Sequence, residues 1–298
     1  MPAPGFDVLP DSNAFDAYEE NAAKEIQRWA EGETPMLSKA LRILSKPLDW
    51  AAERSATEGT MKEINERIVS VLDTLSDAST WTYDEEGVLE RAREETDLAG
   101  AASLADLRSA PMSDLDDLAR TYFTENAVLS ALEGGGTGLG GVALLAADVP
   151  MLFTINLRLI QQVAASYGFR FDSPEARPLV LRIFSAAVAD TPEARGEALD
   201  ELRAAAREEA LHAPSHGEVG VGDASAEDGA ETTENQSRVL VNEIARNVAA
   251  REMAQLIPLA GAATGAGLNY WFTTATAETA YMLSRALFLE RKRREQQA

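Results

Sequence analysis

Two stretches of this chain carry almost no charge over lengths that restrict where they can lie. Residues 134–155, GGGTGLGGVALLAADVPMLFTI, hold one acid, Asp148, and no base. Residues 253–277, MAQLIPLAGAATGAGLNYWFTTATA, hold neither acid nor base. As helices, both are long enough to cross the hydrocarbon of a bilayer at about 1.5 Å per residue. Composition argues against a plain span. The second stretch is mostly Ala, Gly, Thr and Asn, and Asp148 at mid-span of the first costs about 2.5–3.5 kcal/mol on insertion scales. Spacings of four, Gly134 to Gly138 and Gly261 to Gly265, put glycines on one helix face, where a neighbouring backbone can approach. Two readings follow. Either the pair packs as buried helices in a bundle, or the bundle can turn this apolar hairpin toward a membrane.

A phosphate loop is the competing reading of GGGTGLGG, and it fails on detail. A Walker loop ends in Gly-Lys-Ser/Thr, and no Lys is present here. A dinucleotide fingerprint follows a strand, and the residues ahead of Gly134 have helical spacing.

The rest of the chain narrows the chemistry. It has 298 residues, 45% of them hydrophobic, and a formal charge of −22. So acidic a surface repels nucleic-acid phosphates, and nucleic acid is not an expected partner. There is no cysteine, and the two histidines, His212 and His216, flank a Gly/Ser/acid-rich run. Disulfides, thiolate nucleophiles, histidine-based triads and the usual zinc sites are thereby removed, and no metal or cofactor is expected. The opening residues have neither the basic start nor the apolar core of a secretory leader, so the expected compartment is the cytoplasm.

Helical periodicity recurs along the chain and strand alternation does not, so the expected fold is all-α. It is read as a multi-helix bundle with two glycine-rich, uncharged central helices. A tail over 1–12 precedes a single domain over 13–298, in which 213–237 is expected to be a disordered acidic insert. Phe15, Tyr18, Ala22, Ile26 and Trp29 line one face of a first helix. The segment 36–55 is amphipathic and basic through Lys39, Arg42 and Lys46. Ser113 with Asp116 three residues on reads as a helix-start arrangement. Asp116 beside Asp117, and Glu94 beside Glu95, read as solvated faces. Asp148 before Pro150 reads as the cap of a helix over Val149–Tyr167. That helix turns Leu152, Ile155, Leu159, Ile160 and Val163 inward, with Asn156 and Arg158 polar beside them and Asp148 a candidate partner for Arg158.

The segment LEGGGTGLGGVALLAADVPMLFTINLRLIQQVAASYGF resembles the central signature of the EcsC family. The signature is a Gly-rich stretch, Ala-Asp-x-Pro, an apolar run with Leu-Arg, then Ala-x-x-Tyr-Gly. The later segment IPLAGAATGAGLNYWFTTATAETAYMLSRALFLER is similar to the family's second signature. Matching positions are Gly138, Gly141, Asp148, Pro150, Leu157, Arg158, Tyr167 and Gly168, then Pro258, Gly261, Gly265 and Asn269; Gly134 and Asn156 are packing candidates beside them. The resemblance implies no agreed catalytic residues. It implies a peripheral membrane or transport context, through a gene beside an ABC transporter operon.

The function expected is therefore non-enzymatic: a cytoplasmic protein that associates reversibly with the inner membrane face, meeting lipid or an ABC-transporter-type membrane protein. Contact candidates are Lys39, Arg42 and Lys46, and the closing cluster Arg291, Lys292, Arg293 and Arg294. Those last four also suit a helix C-terminus, whose dipole favours cations. The alternatives are a carboxylate-dependent hydrolase, for which Asp148 with Arg158 is the pair to test, and a soluble homo-oligomeric scaffold joined through glycine faces.

Overall fold

The computed structural model describes residues 15–32, 66, 69–70, 84–137, 142–171, 176–207, 235–245 and 261–296. Among them every regular element is helical, and the protein is all-α. The elements are α1 (Ala17–Ala30), α2 (Glu85–Glu95), α3 (Leu104–Arg108), α4 (Met112–Thr137), α5 (Val142–Ser166), α6 (Arg177–Ala189), α7 (Pro192–Arg207), α8 (235–245) and α9 (Gly261–Glu295).

Local chemistry explains several ends. Asp16 accepts from the N–H groups of Tyr18 and Glu19, while the Glu19 carboxylate takes the Asp16 N–H, a reciprocal cap that starts α1. Thr191 Oγ1 takes the Ala194 N–H at the start of α7. Helix α6 has Pro178 in its first turn, where a missing N–H costs nothing.

α9 is the organising helix and packs on α1, α4, α5, α6 and α7. It runs antiparallel to α4, because Asp116 meets Arg285 and Arg120 meets Tyr281. It runs parallel to α5, because Phe153 stacks on Phe272 and Asn156 meets Thr273. The three long helices therefore share two ends. At one lie Asp116, Tyr167 and Arg285. At the other the backbone brings together the close of α4 at Gly134–Thr137, the start of α5 and the start of α9. We call these ends the base and the tip.

The core between them is apolar and continuous. Leu152, Ile155, Leu159, Ile160 and Val163 are all buried, as their spacing predicts. Phe153, Phe184 and Phe272 form an aromatic knot with centroids 5.2–6.3 Å apart. On α1, Ala22, Ile26 and Trp29 face inward as expected, whereas Tyr18 stands at the rim. Arg182 on α6 reaches Glu197 and Glu201 on α7 and Glu243 on α8, pinning these helices together.

Three local readings are corrected. Helix α5 starts at Val142, seven residues ahead of the expected Val149. Asp148 and Pro150 thus lie inside it and not at its cap. The run Val142–Ala147 is apolar and helix-compatible, and it extends the helix through a proline that would otherwise end it. Ser113 and Asp116 do not form a cap either: α4 has begun by Met112, Ser113 bonds Asp114, and Asp116 is fully buried. Of the expected acidic insert, 213–234 lie outside the described residues, and only its end is revised: α8 takes in 235–237, with Ser237 buried.

Candidate functional site

The base is built around a carboxylate with no solvent exposure. Asp116, in the second turn of α4, is 0% exposed. Its Oδ1 accepts from the Tyr167 hydroxyl at 2.5 Å, and its Oδ2 from the Tyr18 hydroxyl at 2.7 Å. The Arg285 Nη2 lies 3.0 Å from that same Oδ2. Arg285, itself 2% exposed, places Nη1 2.7 Å from Glu25 on α1 and its guanidinium 4.8 Å above the Tyr281 ring. Arg120, one turn along α4 from Asp116, donates to the Tyr281 hydroxyl at 2.7 Å. Side chains from α1, α4, α9 and the residue after α5 thus meet at one charged pair.

The electrostatics follow from that geometry. Burial and the Asp116 charge hold the Tyr167 and Tyr281 hydroxyls well above the usual phenol range. The same two causes push Tyr18 up to about 12. Burial alone would lower the Arg285 pKa, but the attraction of Asp116, then of Tyr281 and Glu25, outweighs it, so the guanidinium stays charged. Asp116 is engaged at both oxygens by donors that do not give up their protons in the ordinary pH range. Such a carboxylate serves as a structural anchor.

Tyr167 reaches Asp116 because of the turn that follows it. Phe169 N–H bonds the Ala164 carbonyl at 3.0 Å and Gly168 N–H bonds the Ala165 carbonyl at 2.8 Å, the Schellman pattern. Gly168 has φ +77°, and a Cβ there would lie 2.4 Å from Arg108 Cγ and 2.5 Å from the Leu104 carbonyl oxygen. Only glycine fits. The Gly168 carbonyl in turn accepts from Arg108 Nε at 2.7 Å, which docks α3 on the turn. The Tyr-Gly dipeptide is therefore the joint between α5 and the base.

The remaining sequence-predicted residues divide between the two ends and the interface. Asn156 is fully buried; its Nδ2 donates to the Leu152 carbonyl at 2.7 Å and reaches Thr273 Oγ1 at 3.3 Å. Asn269 is buried one turn nearer the tip. Arg158 is exposed. It stands ten residues beyond Asp148 on one continuous helix, about 15 Å of rise, so the expected Asp148–Arg158 pair does not form. Gly134, Asp148, Pro150, Gly261 and Gly265 fall on helical backbone near the tip. Gly138, Gly141, Pro258, Lys39, Arg42 and Lys46 lie outside the described residues.

The closing cations are engaged at the base. Lys292 pairs with the buried Glu19 at 2.5 Å, and Arg293 and Arg294 share Glu290 at 2.8 and 3.1 Å. Arg291 is 8% exposed and donates to the Arg108 carbonyl. This cluster lies about 39 Å along α9 from Gly265, so cations and glycine tip do not form one patch.

Sequence reasoning missed the centre itself. Tyr18 was read only as part of a helix face and Asp116 as a helix start or a solvated face, and Glu25, Arg120, Tyr281 and Arg285 did not stand out in the sequence. One signal was present: Arg285 interrupts the apolar run AYMLSRALFL, with Tyr281 one turn earlier on the same face. Among the described residues no group of His, Cys, Asp or Glu could hold a metal, and no helix is long and apolar enough to cross a membrane.

These features define an all-α protein with three long helices locked at one end by a buried Asp–Arg–Tyr centre. The chain belongs to the EcsC protein family, whose model matches residues 20–287. It is similar to Protein EcsC of Bacillus subtilis (strain 168), 23% identical over 148 residues, which cover 49% of this chain and 62% of that protein. It is similar also to Uncharacterized protein YdbA of the same organism, 24% identical over 169 residues, 56% of this chain and 61% of that protein. The match thus spans about three fifths of each relative's length. No solved structure matches the chain.

Proposed function

We propose that this protein is a non-enzymatic, cytoplasmic docking module that associates reversibly with a membrane surface or with a membrane protein, through the tip of its three-helix core. The observation that carries the reading is the polarity of the bundle. The base gathers Asp116 with Arg285, Glu19 with Lys292 and Glu290 with Arg293 and Arg294 into ion pairs, beside the Arg120–Tyr281 hydrogen bond. At the tip the described parts of the two stretches with almost no charge come together: 134–137 closes α4, Val142 opens α5 and Gly261 opens α9. A bundle anchored at one end by buried ion pairs can vary its packing at the other without losing its fold. Docking by such an end is a surface association and not a span. The basic segment with Lys39, Arg42 and Lys46 would add an electrostatic contribution that salt screens.

The chain has no cysteine of its own, which makes the test direct. A Gly265→Cys variant labelled with an environment-sensitive dye reports on the tip; Asp117→Cys, on an exposed side chain at the base, is the control. Vesicles of neutral lipid should shift the emission of the tip label to the blue and leave the base label unchanged. Equal behaviour of the two labels would contradict docking through the tip.

A further inference from the structure

Helix α1 is held at three points by cations of the helices beneath it. Lys292 on α9 reaches Glu19, in the first turn of α1, at 2.5 Å. Arg285, seven residues back along α9, reaches Glu25 at 2.7 Å. Arg195 on α7 donates to the Trp29 carbonyl at 2.8 Å, near the end of α1, with its guanidinium 5.1 Å from the centre of the Trp29 ring. Glu19, Glu25 and Trp29 span about 15 Å of helix. Helices α7 and α9 thus present a cation to the start, the middle and the end of one helix, and the last suits the negative end of its dipole.

The attachment is separable. Between these ties α1 turns in Ala22, Ala23, Ile26, Trp29 and Ala30, of which only Ile26 and Trp29 are large. Water reaches the polar ties: the side chains of Glu25 and Lys292 are 46% and 32% exposed, and Tyr18 is 37% exposed. When α1 lifts, Asp116 loses the Tyr18 hydroxyl and Arg285 loses Glu25. Yet Asp116 and Arg285 keep each other at 3.0 Å, and Asp116 keeps Tyr167. The buried pair is therefore not broken by the departure of α1, which is the costly event for such a pair.

We propose that the face of α7 and α9 beneath α1 is a receptor groove for a helix of a partner protein, and that α1 is the internal helix that fills it until displaced. The chemistry of the occupant is read from α1. It carries two carboxylates six residues apart, as Glu19 and Glu25 meet Lys292 and Arg285, and an aromatic ring four residues further on, as Trp29 meets Arg195. Small and apolar residues fill the same face between them, as Ala22, Ala23 and Ile26 do. This is recognition of an amphipathic helix by a groove, with charge fixing its register. The groove is at the base, and it stands independently of docking by the tip.

The test uses a fluorescent peptide of residues 15–32 as the probe helix, titrated into the full chain and followed by anisotropy. Tyr18→Phe with Glu25→Gln loosens α1 within the chain. That variant should bind the peptide about tenfold tighter than the parent does, because a larger fraction of its grooves is open. A peptide carrying Glu19→Gln and Glu25→Gln should bind about tenfold more weakly than the unaltered one. Hydrogen exchange of the unmodified chain is the second arm, and it decides the matter even if the variant does not fold. Amides of α1 should exchange faster than those of α4 over 112–126, and high salt should speed α1 alone. No peptide binding to either chain, or equal binding of the two peptides, overturns the groove. Exchange of α1 and α4 at one rate, in low and high salt alike, overturns the displaceable helix and the groove with it.

Discussion

The hydroxyl of Tyr167 rests 2.5 Å from Oδ1 of Asp116, joining the residue after α5 to the second turn of α4 inside the protein. Arg285 closes the same group from α9 and Tyr18 from α1. Asp116→Ala removes the acceptor for all three and leaves a buried guanidinium uncompensated on that side. The expected loss is about 3–5 kcal/mol in urea unfolding. Replacing both charges, Asp116→Leu with Arg285→Met, should recover much of it, because the cost lies in the unpaired charge. Equal losses in the single and double variants would show that the pair is not what holds the base.

Tyr167→Phe deletes one hydrogen bond to a charged acceptor and nothing of the ring packing, so it should cost about 1.5–3 kcal/mol. Gly168→Ala should cost at least as much, since it combines a left-handed backbone, about 1–2 kcal/mol for a residue with a Cβ, with overlap on Leu104 and Arg108. Gly100→Ala meets nothing within 4 Å and serves as the control, expected within about 0.5 kcal/mol of the parent.

Four of the six tyrosines should resist alkali. Tyr18 and Tyr122 are pushed up to about 12, and Tyr167 and Tyr281 well above their ordinary value, in each case by burial first. Their folded pKa values exceed the unfolded value of about 10. Their contribution to stability is therefore fully present below pH 10 and is lost as pH rises through 12 and beyond. Tyrosinate absorbance should lag behind that of the unfolded chain through this window and then rise with loss of helical circular dichroism. Ionisation of all six near pH 10 in a folded protein would contradict the buried centre.

How far the sequence spoke depends on the range of the interaction. The inward face of α5 was legible, because Leu152, Ile155, Leu159, Ile160 and Val163 obey a local period that packing then honours. Tyr167 and Gly168 were legible as a motif, though not as a joint. Asp116 was not legible. Beside Asp117 it has the look of a wet helix face, and its burial is offset by Tyr18, Tyr167 and Arg285, all far along the chain. Asp148 misled for the opposite reason: acid-then-proline is sound local chemistry for a helix start, but the apolar run before it carries α5 further back. Arg158 then sits too far along the same helix to pair with it.

The proposed docking on membranes is by the tip of the bundle. Flotation of the purified chain with neutral and anionic liposomes, at low and high salt, tests it most directly. The protein should float with both lipids and stay afloat in high salt, because burial of apolar surface is not screened. Flotation lost in salt would move the contact to the cations, and a protein that remains at the bottom of the gradient with every lipid would contradict the claim outright.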